Sequence, residues 1–220
     1  LATFNENNAH YRDYIKSAIK LWLDRGVDAL RVDTVKHMPQ WFWQEFMAEI
    51  LAHRPDVFVF GEWIYNHPLD GVSAQFSNNA GMSILDFPFA MAVRRALGKN
   101  EEAGFGLVQE VLDLDHHYDG ASELVTFIDN HDMHRFQSLN PDTKALRLAL
   151  ILLMTSRGIP CLYYGTEQEL HNDTNASDGS PHGNNDPYNR PMMESWNTEA
   201  PLYKMLSLLT QLRRLNPAIS

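Results

Sequence analysis

A chain of 220 residues holds one sizeable core or two small ones, and 44% hydrophobic with 21% charged residues is the composition of a globular protein. The formal net charge of −10 argues against a phosphate-backbone partner and suits a neutral substrate, and no apolar run reaches the length of a membrane span. Cys161 is the single cysteine, which excludes an intrachain disulfide and a cysteine zinc cluster. The start, Leu1-Ala2-Thr3-Phe4-Asn5, has no charged-then-apolar leader and reads as the middle of something longer.

Residues 8 to 25 carry a helical pattern, with Ile15, Ala18, Ile19, Trp22 and Leu23 on one face and Gly26 as the stop. Ala29 to Val32 reads as a buried strand running into Asp33. Pro39 opens a second helix with Phe42, Phe46, Met47, Ile50 and Leu51 inward. Asp56 to Phe60 is a second strand, ending in Gly61-Glu62-Trp63. Met82 to Phe87 reads as a third, followed by helical segments over Pro88–Leu97 and Phe105–Leu114. Glu123 to Ile128 is a fourth strand, Thr143 to Ser156 an apolar helix capped by Gly158, and Ile159 to Tyr164 a fifth strand. A polar loop from His171 to Arg190 precedes a last amphipathic helix, Leu202 to Leu215.

Strand–helix alternation of this kind implies an α/β fold with a parallel sheet and right-handed crossovers. Short apolar strands fit a sheet buried on both faces. The chain has neither GxGxxG nor GxxxxGK[ST], which weakens a doubly wound nucleotide binder. Acidic residues instead follow several strands: Asp33, Glu62, Asp86 and Asp132. Catalytic groups at the C-terminal ends of several strands are the habit of a (β/α)8 TIM barrel.

Arg31 and Asp33, two apart on a strand, point to one face. The cation should keep Asp33 ionised, which suits a nucleophile, unless the two form only a structural ion pair. Glu62 sits between an apolar strand and Trp63, where a carboxyl tends to stay protonated and suits a general acid; its bland alternative is a helix cap. Asp132, beside His131, suits substrate-hydroxyl binding. The stretch Asp129-Asn130-His131-Asp132-Met133-His134 is also readable as a turn or half a metal site, although His116-His117 looks like surface rather than its partner. Two carboxyls flanking one bond are what glycoside hydrolysis needs.

At these residues the chain resembles the α-amylase family of glycoside hydrolases, closest in look to cyclodextrin glucanotransferases and related bacterial α-amylases. The resemblance rests on GVDALRVDTVKH (26–37), FGEW (60–63), FIDNHD (127–132) and GIPCLYYGTEQEL (158–170), in the family's order, and extends over nearly all of the chain. It implies strands four to eight of a (β/α)8 barrel within one catalytic domain over 1–220, without the first three strands and the inserted domain B. It further implies Asp33 as nucleophile, Glu62 as general acid then base, and Asp132 as transition-state stabiliser. Arg31 would hold Asp33 ionised, and His131 would hydrogen-bond the reacting sugar. Lys36 and His37 would lie on the leaving-group side. Asp186 and Arg190, in DPYNR, would bind sugars further along. The expected outcome is retaining cleavage of α-1,4-glucosidic bonds in starch-like α-glucans, with transglycosylation, or binding by a non-catalytic subunit of the same fold, as alternatives.

The chemistry needs no cofactor. Structural calcium would use the His37 backbone oxygen, but Thr3 stands where relatives carry a calcium-binding aspartate. Ile64 stands where glucanotransferases tend to have an aromatic acceptor platform, which favours hydrolysis. The expected partner is an α-glucan, with no nucleic acid or membrane partner; an open sheet edge would be covered by self-association or by a missing N-terminal half-barrel. The 220 residues alone are expected to have little activity, because catalysis depends on geometry that half a barrel holds loosely. Enzymes acting on polymeric starch are commonly exported, so a secreted or periplasmic protein is expected.

Overall fold

The computed structural model describes residues 4–64, 71–99, 101, 104–171 and 189–219. Helix α1 (Ala9–Asp24) leads to strand β1 (Ala29–Val32), α2 (Gln40–His53), β2 (Phe58–Gly61), α3 (Val72–Ala80) and β3 (Ser83–Ile84). There follow α4 (Phe87–Val93), α5 (Gly104–Asp113), β4 (Val125–Thr126), α6 (Phe136–Leu139), α7 (Thr143–Thr155), β5 (Ile159–Pro160) and α8 (Pro201–Leu215). All the strand pairings are parallel. Strands β1, β2 and β3 are neighbours in that order, β4 pairs with β5, and a parallel bridge between Leu85 and Val125 joins the two groups.

Alternation along the strands creates two dry faces. Phe58, Phe60, Leu85, Val125 and Phe127 pack together on one side of the sheet, with Phe87, Ala90 and Met133. Val57, Val59, Ile84 and Leu124 turn the other way and meet α1, α2 and α3. Further along, Ile128 packs among α4, α5, α7 and α8. The central strands are covered on both faces, as short apolar strands predict, but β1, expected to be buried, is exposed at Ala29 and Arg31 and half-buried at Leu30 and Val32.

The boundaries differ from the sequence-based expectation where polar groups intervene. Of the α1 residues, Leu23 is buried, but Trp22 is 53% exposed and lies under the Arg25 guanidinium at 5.2 Å. The buried charged residue of α1 is Lys16, which reaches Glu45 at 2.6 Å and Glu49 at 3.2 Å on α2; Arg12 and Lys20 extend the same ladder. On α2 the inward set includes Trp43, whose indole N–H donates to Val35 O at 2.8 Å, while Leu51 lies at the surface. The third strand stops at Ile84 because Asp86 turns to cap α4, accepting from Phe89 N at 3.0 Å. The helix expected through Leu97 widens at Arg94–Gly98 into a π turn, and the Arg94 side chain donates to Ile128 O at 3.0 Å. Strand β5 is two residues long rather than six. Gly158 does not close α7, whose C-cap is Ser156; it takes φ +90 at the entrance to β5.

Asp86 is thus structural. It is 1% exposed and forms a short ion pair with Arg157, which also holds Asp115 through Nη2 at 2.6 Å. His116 and His117 are exposed on the short turn Leu114–His117, as expected of surface residues.

Candidate active site

The parallel register sets the site. Ala29 to Val32 pair with Phe58 to Gly61 in step, and the ladder continues past both strands: Glu62 N donates to Val32 O at 2.8 Å and Val35 N to Glu62 O at 3.2 Å. Asp33 and Glu62 are therefore delivered side by side at the C-terminal ends of adjacent strands. Gly61 is needed for this approach, because a Cβ there would stand 2.8 Å from Val35 Cγ1. Thr34 adopts a left-handed backbone, φ 46, an uncommon and strained conformation for a β-branched residue. The turn aims its N–H at Glu62 Oε2, 3.3 Å away.

Arg31 lies between the two carboxyls. One of its nitrogens forms a short ion pair with Asp33 Oδ1, and Nη2 lies 2.9 Å from Glu62 Oε1. Asp33 is open to solvent, whereas Glu62 is 2% exposed. Their acidities diverge accordingly. The Arg31 hydrogen bond is the main cause holding Asp33 below the usual aspartate range, helped by the neighbouring Glu62 carboxyl and by the nearby His131. Burial is the main cause raising Glu62 above the usual glutamate range, against the pull of Arg31. The two carboxyls thus stand on one guanidinium with their acidities pushed in opposite directions.

Trp63, the next residue in the chain after Glu62, stacks on Phe76 with ring centres 4.4 Å apart. Lys36 lies over the Trp63 ring at 5.1 Å and donates to Ile64 O at 2.6 Å. His37 is exposed on the turn Val35–His37.

The third carboxyl comes from the loop after β4. Asp132 Oδ2 lies 3.0 Å from His131 Nε2, and Oδ1 accepts from Arg190 Nη2 at 3.0 Å. Arg190 Nε also donates to His131 O at 3.0 Å. The structure thus brings Arg31, Asp33 and Glu62 together, groups His131, Asp132 and Arg190 around the second focus, and sets Lys36 against Trp63. Asp186 and Thr3 lie outside the described residues. Among the described residues no three His, Cys, Asp or Glu side chains converge to hold a metal ion. A calcium ion at the His37 backbone would need several oxygen ligands, and the described residues offer it no acidic cluster.

Of the groups that hold the Asp132 loop, sequence reasoning placed Asp129 in a turn or half a metal site and passed over Arg135 and Asn189. Asp129 is buried and its Oδ2 accepts from Phe136 N at 2.8 Å. Arg135, 1% exposed, donates to Tyr164 O at 2.7 Å and lies over the Tyr163 ring at 4.1 Å. Asn189 is fully buried and donates to the carbonyls of His131 and Met133. The available signal for Asn189 was its place beside Arg190 in a polar loop; no periodicity marks it.

The alpha-amylase catalytic-domain model matches residues 1–202. The cyclomaltodextrin glucanotransferase of Thermoanaerobacterium thermosulfurigenes is 43% identical over 221 residues, covering 100% of this chain and 29% of its own length. An alpha-amylase of Niallia circulans is 41% identical over the same span, which is 40% of that protein. The crystal structure of CldA, a cyclomaltodextrin glucanotransferase with a three-domain ABC distribution, superposes with a TM-score of 0.90 at 42% identity, covering 100% of this chain and 44% of CldA. The chain therefore spans less than half the length of these relatives. Its match to the family model and its full-length similarity to these proteins establish that it belongs to the alpha-amylase family and carries part of that family's (β/α)8 catalytic domain.

Proposed function

We propose that the chain supplies strands four to eight, and the reacting carboxyls, of an enzyme that cleaves α-1,4-glucosidic bonds of starch-like α-glucans with retention. The observation that carries this reading is the Asp33–Glu62 pair: set at the ends of adjacent strands, joined to one guanidinium and pushed apart in acidity.

In the first step an Asp33 oxygen bonds to the anomeric carbon as the bond from that carbon to the glycosidic oxygen breaks. Glu62 gives its proton to that departing oxygen. In the second step the Glu62 carboxylate takes a proton from water or a sugar hydroxyl, whose oxygen replaces Asp33 at the anomeric carbon. Arg31 keeps Asp33 ionised before it attacks and after it is released. His131 and Asp132 grip ring hydroxyls, Lys36 and His37 serve the leaving-group side, and Asp186 and Arg190 hold sugars further along.

The names of the relatives favour a second reading, in which the acceptor is a sugar hydroxyl and the enzyme is a transglycosylase. Ile64 favours water, because it offers no aromatic face to hold an acceptor. An extracellular location would fit a polymeric substrate; among the described residues no helix is long and apolar enough to cross a membrane.

The test uses the protein encoded by the complete reading frame. Maltooligosaccharide is supplied and the anomer first released is read by NMR. The α-anomer, together with loss of activity in Asp33→Asn and Glu62→Gln, is expected; a β-anomer, or active variants, would overturn the proposal. Cyclic or lengthened products in the same assay would select the transferase reading.

A further inference from the structure

We infer that Asn189 is a positioning residue for Asp132, acting through the backbone on either side of it. The inference rests on the function proposed above and deepens it. The Asn189 side chain is fully buried, and its amide nitrogen donates to His131 O at 2.5 Å and to Met133 O at 3.1 Å. These are the two residues that flank Asp132. One amide group thus spans the turn from which the carboxylate projects.

The clamp is anchored at both ends. Tyr163 donates from its hydroxyl to Asn189 O at 3.2 Å, tying the residue to the segment after β5. Across the turn, Asp132 N donates to Asn130 Oδ1 at 2.9 Å and Phe136 N to Asp129 Oδ2 at 2.8 Å. The neighbouring Arg190 engages the Asp132 carboxylate itself. Asn189 therefore fixes the backbone around Asp132, and Arg190 fixes its side chain. A side chain with two donors on one nitrogen and no charge suits two carbonyls 2.5 and 3.1 Å away. An aspartate of the same shape would set a carboxylate against both carbonyls.

A misplacement of about 1 Å in a reacting group costs roughly a hundredfold in rate. Asn189→Asp is therefore expected to lower kcat about a hundredfold with KM within about threefold, because Asp132 works on the distorted ring rather than on ground-state binding. Asn189→Ser, which keeps one donor, should lie between the two.

The deciding experiment is a double-mutant cycle in the protein from the complete reading frame, with kcat expressed per molecule that folds, counted by its cooperative thermal transition. In an Asp132→Asn background, Asn189→Asp should cost less than about threefold, since the group it positions is already gone. Equal losses in both backgrounds, a loss carried by KM, or an unchanged kcat would overturn the inference. If Asp132→Asn and Glu62→Gln themselves leave activity intact, the proposed function has failed instead, so the two failures are distinguishable.

Discussion

Arg31 Nη2 stands 2.9 Å from Glu62 Oε1 while the same guanidinium binds Asp33. One cation thus acts on both reacting carboxyls, but they do not respond alike. Asp33 is held ionised by it, whereas burial outweighs it at Glu62. The proposed chemistry needs Asp33 deprotonated and Glu62 protonated, so activity should follow a bell-shaped pH profile. Because the carboxyls titrate together, the two limbs belong to the pair.

Arg31→Met removes a charge that holds both carboxyl pKa values down. Both limbs should move to higher pH, since the cation that favours the ionised forms is gone. Initial rates across pH on a soluble maltooligosaccharide measure this. An acid limb that stays in place would mean that Arg31 does not tune Asp33.

Glu62 also links folding to pH. Its folded-state pKa is raised, so its contribution to stability is complete below the unfolded-state pKa and is lost as pH rises through the folded one. Wild-type stability should therefore fall across that window, and Glu62→Gln should not show the fall. Urea unfolding at a series of pH values distinguishes the two; parallel curves would contradict the buried-acid picture.

The Arg157 network predicts unequal costs for its two acids. Asp86 is 1% exposed and also caps α4, whereas Asp115 is 27% exposed. Asp86→Ala should destabilise by about 3–5 kcal/mol, since it leaves a half-buried cation short of its buried partner and Phe89 N uncapped. Asp115→Ala should cost about 1 kcal/mol. Denaturant midpoints for the two variants test the order.

Gly158 lies where a side chain does not fit. A Cβ would meet Leu124 O at 2.5 Å and Thr126 Cγ2 at 2.9 Å, at φ +90. Gly158→Ala should therefore cost at least about 2 kcal/mol by disturbing the β4–β5 pairing. A thermal melt within about a degree of wild type would show that the strand entrance adapts.

Much of the fold and the site was legible in the chain. The apolar run 29–32 and the spacing of Arg31 and Asp33 place both on one strand face, and Pro39 fixes the start of α2. The resemblance supplied the roles. What escaped reading was polar and long-range. Lys16 is buried because two glutamates on α2 meet it, and helical periodicity alone would assign such a position to solvent. Asp86 follows a strand as Asp33 does, yet its partner Arg157 lies 71 residues away. Asn189 bonds to backbone carbonyls about which the sequence is silent.

The most direct test of the central claim is interception of the covalent intermediate. The protein from the complete reading frame, as Glu62→Gln, would be given an α-maltosyl fluoride, whose leaving group needs no proton, and its peptides weighed. The account predicts a maltosyl adduct on the peptide carrying Asp33. Rapid substrate consumption with no adduct there, or an adduct on another carboxylate, would contradict it.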